Sequence, residues 1–185
     1  SGMQAEPTGA WWERSEGGSF EALATANDGS RAVLPVGQQF HYSNLAYGLL
    51  GEVVARLRGG TWWDNVRSRV LAPLGMNRTT YQAEAPHAQG TSVHPWTGEA
   101  LREPHPDTGA MAPAGQLWST VADLGRYTGF LLDGHHEVLS KQQLEAAYVP
   151  QSGTLAGGLS TGHGLGSQLF AGGSGTLVGH TGSMP

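Results

Sequence analysis

A mainly α fold closing on a short β-hairpin is what this sequence predicts, and two observations carry the prediction. Apolar residues recur three and four apart through several segments bracketed by capping and breaking residues. Beyond Gly153 that period gives way to two short β-type runs, Leu165–Phe170 and Thr176–His180, joined by Gly172–Gly173–Ser174–Gly175. The expected division is a helical domain over residues 1–153 and a hairpin over 154–185. A chain of 185 residues, 38% of them hydrophobic, can bury a core, and its 29 glycines and 10 prolines make it loop-rich.

Each element has its own signal. Ser1 to Gly18 is polar apart from Trp11–Trp12 and reads as a surface arm that docks through its indoles. Ser19 caps a short helix over Phe20–Ala26, closed by the turn Asn27–Asp28–Gly29. The clearest helix starts near Asn44 and stops at Gly59–Gly60, with Leu45, Leu49, Val53 and Leu57 on one wide apolar face. Thr61 with Asp64 caps the next, which turns Trp63, Val66 and Val70 inward and ends at Pro73. Residues 82–115 lose periodicity and read as a long loop containing a short hairpin within Val93–Leu101. A helix capped by Ser119 or Thr120 follows, with Val121, Leu124, Tyr127 and Leu131 on one face and Asp133–Gly134 as its end. Ser140 and Gln143 form a capping box for another, which Pro150 terminates. A lone two-stranded hairpin is marginal, so the rest of its sheet is expected elsewhere.

Composition excludes several function classes. The net charge is −5 and the 10 Lys and Arg are scattered, so no basic stripe exists to neutralise phosphates and no nucleic-acid partner is expected. No apolar run approaches the roughly 20 residues that span a bilayer, and no basic-then-apolar leader opens the chain. With 0 Cys, disulfide and thiolate chemistry are absent, while the compartment stays unspecified. The 8 His include the adjacent His135–His136 and three loop residues beside prolines, His87, His94 and His105. None has metal-ligand spacing, so no metal and no cofactor is expected. No Gly-x-Ser-x-Gly elbow follows a strand. Trp62–Trp63 read as one half-exposed and one core residue rather than a carbohydrate platform.

Chemistry concentrates at Phe40–His41–Tyr42–Ser43–Asn44, where a phenol, a hydroxyl and an amide gather at the start of the strongest helix. Free backbone N–H groups and the positive end of the dipole favour oxygen ligands there. The same residues also serve as an ordinary N-cap, Ser43 or Asn44, with Tyr42 packing beside it.

The run Pro35-x-Gly37-x-x-Phe40-x-Tyr42-Ser43-Asn44-Leu45-Ala46-Tyr47-Gly48-Leu49-Leu50-Gly51 resembles the second motif region of class C β-lactamases, D-alanyl-D-alanine carboxypeptidases and related esterases. Three further stretches follow in that family's order. Leu71–Met76 resembles its "PLGM" segment, and Met111–Leu124 its "PAGGLxST..DL" segment. Gly164–Gly166 followed by Val178–Pro185 resembles the strand pair carrying its third motif, Lys-Thr-Gly or His-Thr-Gly. The resemblance implies the helical domain of a β-lactamase/DD-peptidase-like α/β fold, with the hairpin in an antiparallel sheet and the active site in the cleft between. It makes Tyr42 the catalytic general base or a relay to one, which requires cationic neighbours because a phenol titrates near about 10. It gives Asn44 to the substrate's acyl side chain, and His180, Thr181 and Gly182 to the opposite wall. The Ser183 N–H would supply half of an oxyanion hole. A small-molecule ester, amide or peptide substrate is implied.

The family nucleophile sits in Ser-x-x-Lys, which this sequence lacks: the single lysine is Lys141, and Val138 stands three residues before it. Ser1-Gly2-Met3 resembles the tail of the family's "HTSG" stretch, and the family continues past Pro185. The expectation is therefore a fragment of an acyl-serine hydrolase, inactive alone. The rival is a non-catalytic binding module derived from the same fold. His180 in place of a fixed lysine cation is expected to favour esters, amides or peptides over penicillins. The exposed hairpin edge is expected to pair with another chain.

Overall fold

The computed structural model describes residues 2–153, 161–173, 175–182 and 184. Its helices begin where capping side chains stand. The Ser19 hydroxyl accepts from the Ala22 N–H to start α1 (Phe20–Ala26), and Ser43 accepts from Ala46 N–H to start α2 (Asn44–Arg58). Thr61 and Asp64 exchange reciprocal bonds at the head of α3 (Trp62–Val66), Thr61 Oγ1 accepting from the Asp64 N–H and Asp64 Oδ2 accepting from the Thr61 N–H. Thr120 caps α4 (Val121–Asp133), and the full Ser140–Gln143 capping box opens α5 (Lys141–Ala147). α2 and α4 both stop at a glycine with positive φ, Gly59 and Gly134, as expected for residues without a Cβ penalty. After α3 the chain widens over Arg67–Leu71, where Ala72 N–H reaches back five residues to the Arg67 carbonyl at 2.9 Å.

Two compact units form. The first holds Ser1–Asn65, Thr79–Ser119 and Ser183–Pro185, and the second Val66–Arg78 and Thr120–Gly182. In the first, α2 packs on a 3-10 helix, Gly109–Ala114, around Leu45, Met111 and Ala112. The contact face differs from the expected one. Leu57 is 78% exposed and Val53 48%, whereas Gly48 and Gly51 are buried. A Cβ on Gly51 would fall within the Pro113 ring, and one on Gly48 would come 2.9 Å from Met111 Sδ. The smallest residues let the backbones approach, and apolar periodicity cannot register a face built by absence of side chain. The stretch 82–115 is not featureless: β1 (Thr91–Val93) and β2 (Ala100–Arg102) form the hairpin, and the 3-10 helix closes the stretch. Gln116 ties it down from inside, its Oε1 accepting from the Thr108 N–H and hydroxyl at 3.0 and 2.6 Å.

In the second unit, Leu71, Met76, Phe130, Leu144 and Leu169 are buried. Asp123, 1% exposed, accepts the Arg78 N–H at 2.8 Å and Arg126 Nη1 at 2.9 Å. The face of α4 assigned from periodicity is largely open, Val121 being 87% and Leu124 52% exposed, and the buried face runs through Asp123 and Phe130. A two-residue hairpin, β3 (Gly134–His135) with β4 (Leu139–Ser140), links α4 to α5. The terminal β-structure exceeds the expected lone hairpin: β5 (Ser152–Gly153), β6 (Thr161–His163), β7 (Gln168–Gly172) and β8 (Gly175–Gly179) form a four-stranded antiparallel sheet in that order. β5 and β6 are two and three residues long and lie in Gly-, Ser- and Thr-rich sequence, so no alternation announces them. The fold thus combines helices with small sheets, as in an α/β fold, with more strands than the expected hairpin. No helix among the described residues is long and apolar enough to cross a membrane.

Candidate active-site wall

The Tyr42–Ser43–Asn44 element is built by two segments, of which periodicity identifies one. Residues 2–8 run alongside the start of α2 and are stitched to it. Ser43 Oγ donates to the Gln4 carbonyl at 2.6 Å while accepting from the Ala46 N–H at 3.0 Å, so one hydroxyl caps the helix and anchors the neighbouring chain. The Asn44 and Leu45 N–H groups both point to the Ala5 carbonyl, at 2.8 and 3.3 Å. The expected surface arm is therefore a docked strap. Trp12 is 7% exposed, in keeping with docking through the indoles, while Trp11 stays 58% exposed.

This strap contributes Glu6, which sequence reasoning missed. Asn44 Nδ2 donates to Glu6 Oε1 at 2.8 Å, and Trp12 Nε1 donates to Glu6 Oε2 at 2.8 Å. The Asn44 amide assigned to substrate is thus oriented by a carboxylate on its nitrogen side. Nothing in the spacing of Glu6 could have revealed this, since the contact spans 38 residues.

Tyr42 is 43% exposed. Partial burial pushes its phenol above the ordinary range, and Tyr47, Glu6 and Glu13 push it further. These influences all favour the protonated phenol.

His180, Thr181 and Gly182 follow β8 and are exposed; Ser183 lies outside the described residues. The register aligns His163, Gln168 and Gly179 across β6, β7 and β8. Gln168 Oε1 accepts from the Thr181 N–H and hydroxyl at 3.2 and 3.3 Å, fixing that residue to the end of the sheet. His180 Nδ1 bonds the Thr181 carbonyl, which assigns the proton to Nδ1. Burial lowers the pKa of His163, and the nearby His180 adds to the effect. Tyr42 and Asn44 belong to the first unit, and His180, Thr181 and Gly182 to the second. No group of three or more His, Cys, Asp or Glu suited to a metal ion occurs among the described residues.

The family model described as Beta-lactamase matches residues 2–185. The chain is 33% identical over 123 residues to beta-lactamase-like protein 2 of Dictyostelium discoideum, a match covering 65% of this chain and 22% of that protein. The octameric penicillin-binding protein homologue from Pyrococcus abyssi superposes with a TM-score of 0.77 at 27% identity, over 89% of this chain and 38% of that one. D-amino acid amidase from Ochrobactrum anthropi SV3, in complex with D-phenylalanine, has the same fold, with a TM-score of 0.73 at 24% identity over 100% of this chain and 56% of that one. In each case the chain spans well under two thirds of the relative's own length.

Proposed function

The chain belongs to the β-lactamase family, and on that premise we propose that it forms part of a serine hydrolase that cleaves amide or ester bonds through an acyl-serine. The observation that carries this reading is the Tyr42–Ser43–Asn44 element at the capped start of α2, held there by the strap of residues 2–8. Tyr42 is the proton relay and Asn44 contacts the acyl side chain of the substrate. The family resemblance assigns His180, Thr181 and Gly182 to substrate binding and Ser183 to oxyanion stabilisation. The nucleophile comes from a Ser-x-x-Lys that these 185 residues do not contain. The described helices fall within residues 1–153, which we assign to the family's helical domain, and β6 to β8, within 154–185, are assigned to its antiparallel sheet. His180 stands where the family more often has a lysine, a fixed cation for a substrate carboxylate, and its replacement favours esters, amides and peptides over penicillins.

The test uses protein that also carries the Ser-x-x-Lys region. Tyr42→Phe is expected to lower kcat on a p-nitrophenyl ester about 100-fold or more, the scale of a lost general acid–base group. Unchanged kcat in that variant, or cephalosporin hydrolysis as fast as ester hydrolysis in the unsubstituted protein, would sink the respective part of the reading.

One observation favours a second reading, a non-catalytic binding module: no Ser-x-x-Lys occurs within the sequence. The residues encoded immediately before Ser1 discriminate between the two. Self-association is part of either reading, because β8 pairs only with β7 among the described residues, and the Pyrococcus abyssi homologue is octameric.

A further inference from the structure

Glu6 is held by two neutral donors, the Asn44 amide and the Trp12 indole, each on a different oxygen. A carboxylate has about four acceptor positions, so about half remain open. Among the described residues no Lys, Arg or His pairs with it. The start of α2 contributes only about half a unit of positive charge, and its Asn44 and Leu45 N–H groups are already bonded to the Ala5 carbonyl. The charge of Glu6 is therefore incompletely balanced, and Glu13 adds to the negative field around Tyr42.

The hydrogen bond to Glu6 also fixes which way the Asn44 amide faces. Its nitrogen is turned to the carboxylate, and no described residue donates to its Oδ1. Asn44 Oδ1 and the open positions of Glu6 are both acceptors, so this wall is matched by a group that donates and carries positive charge. An acceptor-only or anionic group meets repulsion there.

We propose that Glu6, acting beside Asn44, is a specificity-determining residue that selects substrates with a free ammonium group on the acyl side, the chemistry of α-amino acid amides and esters. The inference rests on Tyr42 and Asn44 being a wall of the substrate site. The ammonium donates to Glu6 and to Asn44 Oδ1, while the scissile carbonyl lies toward Tyr42.

The 185-residue chain allows a direct test by amide-resolved NMR titration, because the Asn44 side-chain amide and the Trp12 indole N–H both report on Glu6. Phenylalanine amide, charged below about pH 7.7, is compared with N-acetylphenylalanine amide, which carries no charge. The charged ligand is expected to bind about two- to fivefold tighter, the range for a solvent-exposed ion pair, and to shift both signals. Glu6→Gln keeps an acceptor oxygen and is expected to abolish that preference, as is raising the pH to about 9 in the unsubstituted chain, where the amine is neutral. Equal binding of the two ligands, with the Asn44 signals still shifting, overturns the role of Glu6 and leaves the site reading standing. Absence of any shift at Asn44 or Tyr42 with either ligand overturns both.

Discussion

Single residues in this chain act through charge placement more than through bulk. Glu103 illustrates the point in the strap's own neighbourhood. Its carboxylate takes Arg14 through two bonds, at 2.8 and 2.5 Å, joining the 3-10 turn Trp12–Arg14 to the segment just after β2. Arg14 above all, with help from the Ser92 hydroxyl, holds the Glu103 carboxyl below its ordinary value. A depressed carboxylate contributes stability that is present above the unfolded pKa, about 4.3, and is lost as pH falls through the lower folded value. Glu103→Gln is therefore expected to melt below the unsubstituted chain at neutral pH, with the gap in Tm closing below about pH 4. A gap that persists unchanged into that acid range would show that the loss is one of packing and not of charge. Tyr42 shows the opposite sign: burial first, then Tyr47, Glu6 and Glu13, push its phenol above the ordinary value.

Among the elements, glycine decides the packing of α2, and the same substitution is expected to act in opposite directions in two helices. Gly51→Ala forces a methyl into Pro113 and should destabilise by about 1–3 kcal/mol, the usual cost of overpacking. Gly129→Ala in α4 meets nothing within 4 Å and should stabilise by about 0.5–1 kcal/mol through helix propensity. Thermal or denaturant melts of both variants check the pair; equal signs would refute the packing account. This contrast also marks what was legible in the sequence. Caps and stops were, because Ser19, Thr61, Thr120, Ser140 and the terminal glycines act within three or four residues of themselves. Burial was not, because Leu57 and Val121 obey a helical period while lying open, and Gly51 is buried without contributing to it. For the candidate site, Tyr42 and Asn44 were legible as a motif, whereas Glu6 was not, since its bond to Asn44 joins segments with no local pattern in common.

For the whole molecule, association is expected through β8. Leu177, on that strand, is 63% exposed, and its strand pairs only with β7 among the described residues. Light scattering at high micromolar concentration is expected to give a mass above that of one chain, and Leu177→Lys is expected to lower it, since an edge lysine opposes strand pairing. Identical masses for the two proteins would remove β8 as the contact. The strap of residues 2–8 has a consequence of another kind. Its bond from Ser43 to Gln4 closes a loop with a separation of 39 residues, so the wall around Asn44 is a product of chain closure and not of α2 alone. Closing such a loop carries an entropic cost that grows with the logarithm of its length. α2 can wind locally before the strap arrives, but the orientation of the Asn44 amide cannot precede it. Assembly of the site is thus timed by the meeting of two distant segments, and changes in the intervening residues 9–42 can delay it without touching either end.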